Sequence, residues 1–339
     1  MKNNVLVYGA YGHTGQFVVA DLLRRGLVPI LSGRNETALK ELGRRHPSLE
    51  IRPAAIDDPA ALRTAATEVA AIINTAGPFL DTGLPVAEAA ARAGAHYLDV
   101  TAEQVAAQQI YQEHRQRGWA TDIAMIPSMA FYGGLPDLLA TAAASPFTTI
   151  DEITIAIGID RWWPTEGTRK TGKRNTAPRL VVTDGKLTPA TASERDWDFA
   201  APLGKHAVVE CPFSEIVTMS RHLRASHIRT YLSQMALNDI RDATTTAPEA
   251  VDASGRSAQR FIVEVTVRQG GHRRRVTAGG RDIYAVTAPL ITEATQRLLD
   301  GRAKICGAAA PGETFDAQDF LSSLSDTLTV SDIVDEAAK

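Results

Sequence analysis

Val5-Leu6-Val7-Tyr8-Gly9-Ala10-Tyr11-Gly12-His13-Thr14-Gly15 opens the chain with an uncharged apolar run that breaks into three spaced glycines and passes into helical sequence from Gln16. Each glycine has its own task. Gly9 permits a tight turn off the strand, Gly12 lets backbone approach a diphosphate without a Cβ in the way, and Gly15 lets the next helix sit close to the sheet. The amides at that helix's N-terminus would then hold the anion. With a strand before, a helix after and a second strand about twenty residues on, the stretch predicts a dinucleotide-binding turn.

The same rhythm continues outward. Apolar runs at 5–8, 28–31, 51–55, 71–74, 96–99 and 123–126 alternate with helical stretches at 15–25, 36–45, 59–66, 84–93 and 105–117. Six such strands, the central ones almost free of charge, predict an α/β fold: a Rossmann-type doubly wound parallel sheet over residues 1–147. Beyond Pro146 the texture changes. Ile153, Ile155, Ile157 and Ile159 alternate with polar or small residues, and Ile262, Val265 and Val267 precede Gly270-Gly271. This predicts an inserted α+β domain over 148–280, built on an antiparallel sheet. Helical spacing returns at 283–299, so 281–339 is expected as a helical segment packing back on the first domain.

In such a frame ligands lie along the carboxyl ends of the strands. Ser32-Gly33-Arg34-Asn35, at the end of the second strand, carries no acidic residue for a ribose diol. Arg34 offers a planar fork for a 2′-phosphate, flanked by Ser32 and Asn35, which predicts NADP(H) as the preferred cofactor with NAD(H) possible. A solvated loop arginine is the alternative. Asp57 is placed to reach the adenine edge, or to cap a helix together with Asp58 and Pro59. Asn74-Thr75-Ala76-Gly77-Pro78-Phe79 follows the fourth strand, where the chain passes beneath a nicotinamide ribose unless this is an ordinary turn.

Composition bounds the partners. A chain of 339 residues, 44% hydrophobic and 22% charged, suffices for two domains, and a net charge of -3 gives no reason to expect nucleic acid or an anionic membrane. A small-molecule substrate is the default. Cys211 and Cys306 are too few for a disulfide framework or thiolate metal site, which fits a reducing cytoplasm, and the eight histidines show no HxH or HxxxH spacing, so no metal is expected. Met1-Lys2-Asn3-Asn4 and the short run after it leave no room for a signal peptide, and no apolar run approaches the roughly 20 residues of a membrane span.

Several stretches together resemble the saccharopine dehydrogenase-like NAD(P)-binding oxidoreductases. They are the glycine loop, Ser32-Gly33-Arg34, Asn74 through Phe79, and Tyr97-Leu98-Asp99-Val100-Thr101-Ala102-Glu103. Pro127 through Leu139, Pro212-Phe213-Ser214-Glu215 and Gly280-Arg281-Asp282-Ile283-Tyr284 extend the likeness over most of the chain. The resemblance implies a pocket-shaping second domain, hydride transfer at a C=N, C=C or C=O bond, and a homodimer. It also implies cofactor contacts at Gly9, Tyr11, Gly12, His13, Thr14 and Gly15 and at Asn74, Thr75, Ala76, Gly77 and Pro78, with Asp99 and Glu103 as pocket neighbours, Asp99 on the cofactor side.

Hydride transfer asks the protein for orientation and for a proton. Tyr132, after the sixth strand, can donate one or simply pack. Glu103 can act as acid or base if desolvated, or cap the helix that begins near Gln104. Phe79 is expected against the substrate. Arg169, Lys170, Lys173, Arg174 and Arg179 place five positive charges in eleven residues beside Trp162. They read either as a lid, with Arg169, Lys170 and Trp162 on a small anionic metabolite, or as a solvated loop. His272-Arg273-Arg274-Arg275 reads as the exposed end of a hairpin. No tyrosine is followed four residues later by lysine, so the dyad of short-chain reductases is absent. Cys211 and Cys306 lie far along the chain from every sheet-edge loop. A non-catalytic NADP(H)-binding redox sensor acting through a protein partner is the rival from another class, and the second domain speaks against it.

Overall fold

Alternate residues of the first sheet's strands enter two separate apolar layers, as a strand covered on both faces requires. The computed structural model describes residues 4–337; Met1, Lys2 and Asn3, part of the signal-peptide reading, lie outside them. The chain runs β1 (Asn4–Tyr8), α1 (His13–Arg24), β2 (Val28–Gly33), α2 (Glu36–Arg45), β3 (Ile51–Pro53), α3 (Pro59–Ala65), β4 (Ala71–Asn74), α4 (Phe79–Ala93), β5 (His96–Asp99), α5 (Gln104–Arg117), β6 (Ala124–Ile126) and α6 (Gly134–Ala144). Val5, Val7, Leu31, Ile73, Leu98 and Ile126 face one layer, and Leu6, Tyr8, Ile30, Ile72, Tyr97 and Met125 the other. The strands are parallel in the order β3-β2-β1-β4-β5-β6, so the strand order reverses between β1 and β4 and opens a crevice there.

Local chemistry starts the helices. Asn35 accepts from the Ala38 amide at the head of α2, and Asp58 from those of Ala60 and Ala61 at the head of α3, with Pro59 in the first turn. Helix α4 begins at Phe79, five residues before the expected start. Gly83 and Pro85 read as breakers, yet both lie inside it.

The second sheet comprises β7 (Ile150–Ile159), the hairpin of β8 (Leu180–Thr183) and β9 (Lys186–Pro189), β10 (Glu194–Asp198), β11 (Lys205–Glu210), β12 (Ala225–Ser233), β13 (Arg260–Gln269) and β14 (His272–Arg281). Helices α7 (Glu166–Arg174), α8 (Glu215–Met219) and α9 (Gln234–Arg241) lie between these strands in sequence. The sheet is mixed, which corrects the antiparallel expectation: β12 runs parallel to β7 at its centre, while β13 pairs antiparallel to β7. Alternation with a period of two is the same in both arrangements. The long excursion between β7 and β12 permits the parallel crossover.

The last segment is not helical alone. After α10 (Thr287–Leu299) it adds β15 (Gly307–Ala308) to the first sheet beside β6, then, after α11 (Pro311–Thr314) and α12 (Ala317–Ser322), β16 (Thr329–Val330) and β17 (Val334–Ala337) to β14 of the second. Strand β17 brings Asp335 and Glu336 alongside Arg273 and Arg274, so that basic group is partly covered. None of the helices among the described residues is long and apolar enough to cross a membrane.

Helix α10 packs on α1 through a largely buried ion network. Arg25 bridges Asp21 (2.9 Å) and Glu293 (2.5 Å), Arg297 bridges Glu293 (2.7 Å) and Asp319 (2.6 Å), and the Thr292 hydroxyl donates to Asp21. Glu293→Ala leaves two arginines sharing fewer acceptors and is expected to lower unfolding free energy by about 3 kcal/mol. Urea denaturation checks this.

Candidate cofactor and substrate site

The glycine loop is built by close approach. Gly9 has φ +86°, a region that L side chains rarely adopt, and a Cβ there would lie 2.9 Å from Ala76 Cβ and 3.0 Å from Thr75 Oγ1. A Cβ on Gly15 would fall 2.3 Å from the Gly9 carbonyl oxygen. Gly12 differs, since its Cβ position meets only the Gly9 oxygen, at 3.1 Å, and is otherwise open. Gly12 also begins α1 with no side-chain cap and no acidic residue in the first turn, so the amides of His13, Thr14 and Gly15 are left for an anion.

The end of β2 separates supporting residues from free ones. The Ser32 carbonyl accepts from the Gly9 and Ala10 amides, and its hydroxyl donates to the Arg52 carbonyl. Asn35 caps α2. Both hold the corner in shape, whereas Arg34 is exposed and available to a phosphate. The Asp57 ambiguity resolves: Asp58 is the cap of α3 and Asp57 stands exposed beside it. Both Arg34 and Asp57 act electrostatically on the Tyr8 phenol, which burial pushes up to about 12, so they border the same corner.

At the end of β4 the polar side chains turn inward. Asn74 Oδ1 accepts from the Ala76 amide (3.0 Å) and its Nδ2 donates to Thr82 Oγ1 (3.2 Å), while Thr75 Oγ1 donates to the Tyr8 carbonyl (3.0 Å). Asn74 and Thr75 therefore shape the turn, leaving Ala76, Gly77 and Pro78 as its ligand-facing backbone. Asp99 is fully buried, accepting from Thr101 N and Ser128 N through Oδ1 and from the Tyr97 hydroxyl through Oδ2. Burial pushes its carboxyl up to about 6 against those hydrogen bonds. With both oxygens engaged, it braces the ends of β5 and β6 and has no edge to offer a ribose. Glu103, also buried, does not cap α5; it accepts from the Phe79 and Leu80 amides at the start of α4, 2.8 and 3.3 Å away.

The second domain walls the seam with aromatic rings. Its loop 211–215 docks on the β5–α5 turn, where Ser214 Oγ donates to the Thr101 carbonyl (3.0 Å) and Gln104 Nε2 to the Phe213 carbonyl (2.9 Å). Tyr132 lies 4.0 Å from Phe213 and 5.7 Å from Trp162 between ring centroids. Trp162 Nε1 donates to Tyr284 Oη (2.9 Å), and Tyr284 meets His13 edge-on at 5.3 Å. The series thus runs from the glycine loop to the end of β6. Within it the Tyr132 hydroxyl, His13 Nε2 and Glu215 Oε2 are buried without hydrogen-bond partners. Burial raises the Tyr132 phenol well above its ordinary value, and the neighbouring Cys211 thiol adds to this. Cys211, distant in sequence, is thus brought to the seam, but burial raises its thiol too, which disfavours a thiolate.

Most of the basic segment is an ordered helix. Residues 166–174 form α7, capped by Thr165, and a helix spreads its charges around its circumference. Arg169 donates to the carbonyl of Ile240 at the end of α9 and to those of Asp242 and Thr245 beyond it, Lys170 pairs with Glu166 in solvent, and Arg179 donates to the Pro212 carbonyl with its guanidinium over the Phe213 ring of the seam. Thr171 and Arg174 instead face the turn at the end of β4. Thr171 Oγ1 lies 2.5 Å from the Cβ position of Gly77, and Arg174 pairs with Asp81 at 3.0 Å. Trp162 is buried in the wall, and Phe79 is buried at the head of α4.

Residues 5–123 match the family described as saccharopine dehydrogenase NADP binding domain. The match lies within the first domain of this chain. The probable mitochondrial saccharopine dehydrogenase-like oxidoreductase of Arabidopsis thaliana is 30% identical over 143 residues, 38% of this chain and 32% of that protein. The trans-acting enoyl reductase of Mycobacterium ulcerans is 32% identical over 105 residues, 29% of this chain and 25% of that one. The chain thus spans about a third or less of these relatives' lengths. Saccharopine dehydrogenase (L-Glu forming) of Saccharomyces cerevisiae superposes with a TM-score of 0.67 at 13% identity, covering 98% of this chain and 99% of that one, which extends the shared fold to both domains.

Residues without a role in the sequence pattern now stand at the seam: Tyr284, Phe213, Gln104 and Thr171. Tyr284 and Phe213 stood in stretches already quoted for the resemblance, but their partners lie more than 70 residues away in sequence, as for Tyr284 and Trp162. The two helix-side glycines separate experimentally. Gly15→Ala is expected to lower the melting temperature, because its Cβ collides with fixed backbone. Gly12→Val is expected to abolish binding of NADPH in calorimetry with a far smaller change in melting temperature.

Proposed function

We propose that this chain is an NADP(H)-dependent oxidoreductase that transfers a hydride to or from a C=N, C=C or C=O bond of a small molecule held in the seam between its domains. The observation that carries this is the uncapped start of α1 beside the open face of Gly12, with Arg34 exposed at the end of β2. Bound NADPH would supply the hydride, and the protein would supply orientation, exclusion of water and the proton. Tyr132 is the proposed donor. Its hydroxyl is buried and unpartnered, and its raised phenol stays protonated throughout the physiological range. The aromatic seam, with Arg179 over the Phe213 ring as its neighbouring cation, supports a small substrate whose reacting group lies against apolar rings. The name of the enoyl reductase relative makes the C=C bond a natural first assay. NAD(H) is a secondary cofactor in this reading. A reducing, cytoplasmic setting is supported by two unpaired cysteines, and a homodimer by the family resemblance alone.

Arg34→Asp is expected to weaken NADPH on the order of tenfold to a hundredfold, the loss of a charge-assisted phosphate pair, with little effect on NADH. Equal losses in parallel titrations would refute the phosphate role. Tyr132→Phe is expected to lower kcat for NADPH consumption with imines, enones or keto acids and to leave NADPH affinity unchanged. Weakened cofactor binding with an unaltered kcat would remove Tyr132 as donor.

A further inference from the structure

Glu103 occupies the first position before α5 yet leaves that helix's amides alone. Its side chain crosses to α4, where Oε1 accepts from Phe79 N at 2.8 Å and Oε2 from Leu80 N at 3.3 Å. Those two amides directly follow the turn 76–78, and that turn touches the glycine loop, where a Cβ on Gly9 would lie 2.9 Å from Ala76 Cβ. The width of the slot between β1 and β4 therefore depends on where the turn is held. Asn74 holds its first residue through the Ala76 amide, and Glu103 holds its far end. The Glu103 backbone is itself fixed, since its amide donates to Thr101 Oγ1 at 3.0 Å and Thr101 accepts Ser214 of the second domain. We propose that Glu103 is a positioning residue for the nicotinamide half of the cofactor, holding the turn 76–79 through both carboxylate oxygens without touching the ligand. This rests on the NADP(H) reading above.

The clamp needs two acceptor oxygens, which only the ionised carboxylate provides in full. The charged groups around Glu103 are Asp99 at the end of β5, Asp81 on α4, Arg174 on α7 paired with Asp81, and Glu215 next to Ser214 in the docked loop. Burial, opposed by the two amides and reinforced by Asp99 and Asp81, pushes Glu103 up to about 7. The folded protein therefore retains this proton from the ordinary carboxylate range up to near neutrality, and the full clamp forms only as pH rises through about 7.

Calorimetry on the full chain with NADPH and with adenosine 2′-monophosphate, which lacks the nicotinamide half, tests the assignment. At pH 8, Glu103→Gln is expected to weaken NADPH about tenfold and the monophosphate less than about twofold, the scale of one lost charge-assisted hydrogen bond. In the wild type, the ratio of NADPH to monophosphate affinity should fall from pH 8 to pH 6, and in the variant, where Asp99 still titrates, it should fall far less. The 2′-phosphate, which titrates near pH 6, is common to both ligands and cancels in the ratio. Equal weakening of both ligands, or an unchanged ratio, overturns the proposal while leaving the cofactor reading intact. Binding of neither ligand to the wild type overturns the cofactor reading and this inference with it. Should the variant not fold, the wild-type ratio against pH decides alone.

Discussion

Everything in the first domain depends on how closely α1 can approach the turn that leaves β1. The Gly9 carbonyl lies where a Cβ on residue 15 would be, so one methyl group at that point would lift the helix off the sheet. Close seating has two consequences. It aims the uncapped first-turn amides across the open face of Gly12, and it sets the other side of α1 against α10, where Asp21, Arg25 and Glu293 form a shared network. The uncapped start of α1 and the closure of the chain's last segment are thus two faces of one helix position.

A second constraint operates at the ends of β4, β5 and β6. These strands finish in polar residues that are almost wholly buried: Asn74, Asp99, Glu103 and Ser128. Buried polar groups must be paired, and here most of them are paired with backbone amides of the adjoining turns rather than with one another. The result is a frame of stiff turns facing the crevice. Backbone and small side chains are left at the surface of these turns, and Asn74, Asp99 and Glu103, first read as cofactor or catalytic groups, are buried behind it.

The comparison between sequence and structure divides along these lines. The strands and the glycine turn were legible, because each depends on residues within about twenty positions of one another. The mixed character of the second sheet was not, because alternation cannot distinguish a parallel from an antiparallel neighbour. Nor was the fate of the basic segment. Arg169 binds carbonyls some 70 residues downstream, and nothing local distinguishes it from Arg174, which reaches Asp81 at the start of α4.

By itself the sequence determined the parallel sheet, the position of the glycine turn and the absence of an acidic residue where an NAD-specific domain would carry one. These are properties of backbone geometry and of short-range steric demand. Only the tertiary structure decided which side chains are free and which are spent. Glu103 and Asp99 went to turns, Arg169 to a helix end, and Tyr132 to an aromatic seam with its hydroxyl unpaired. A side chain's chemistry depends on its burial and its partners, and both are set by segments that meet only when the whole chain has folded.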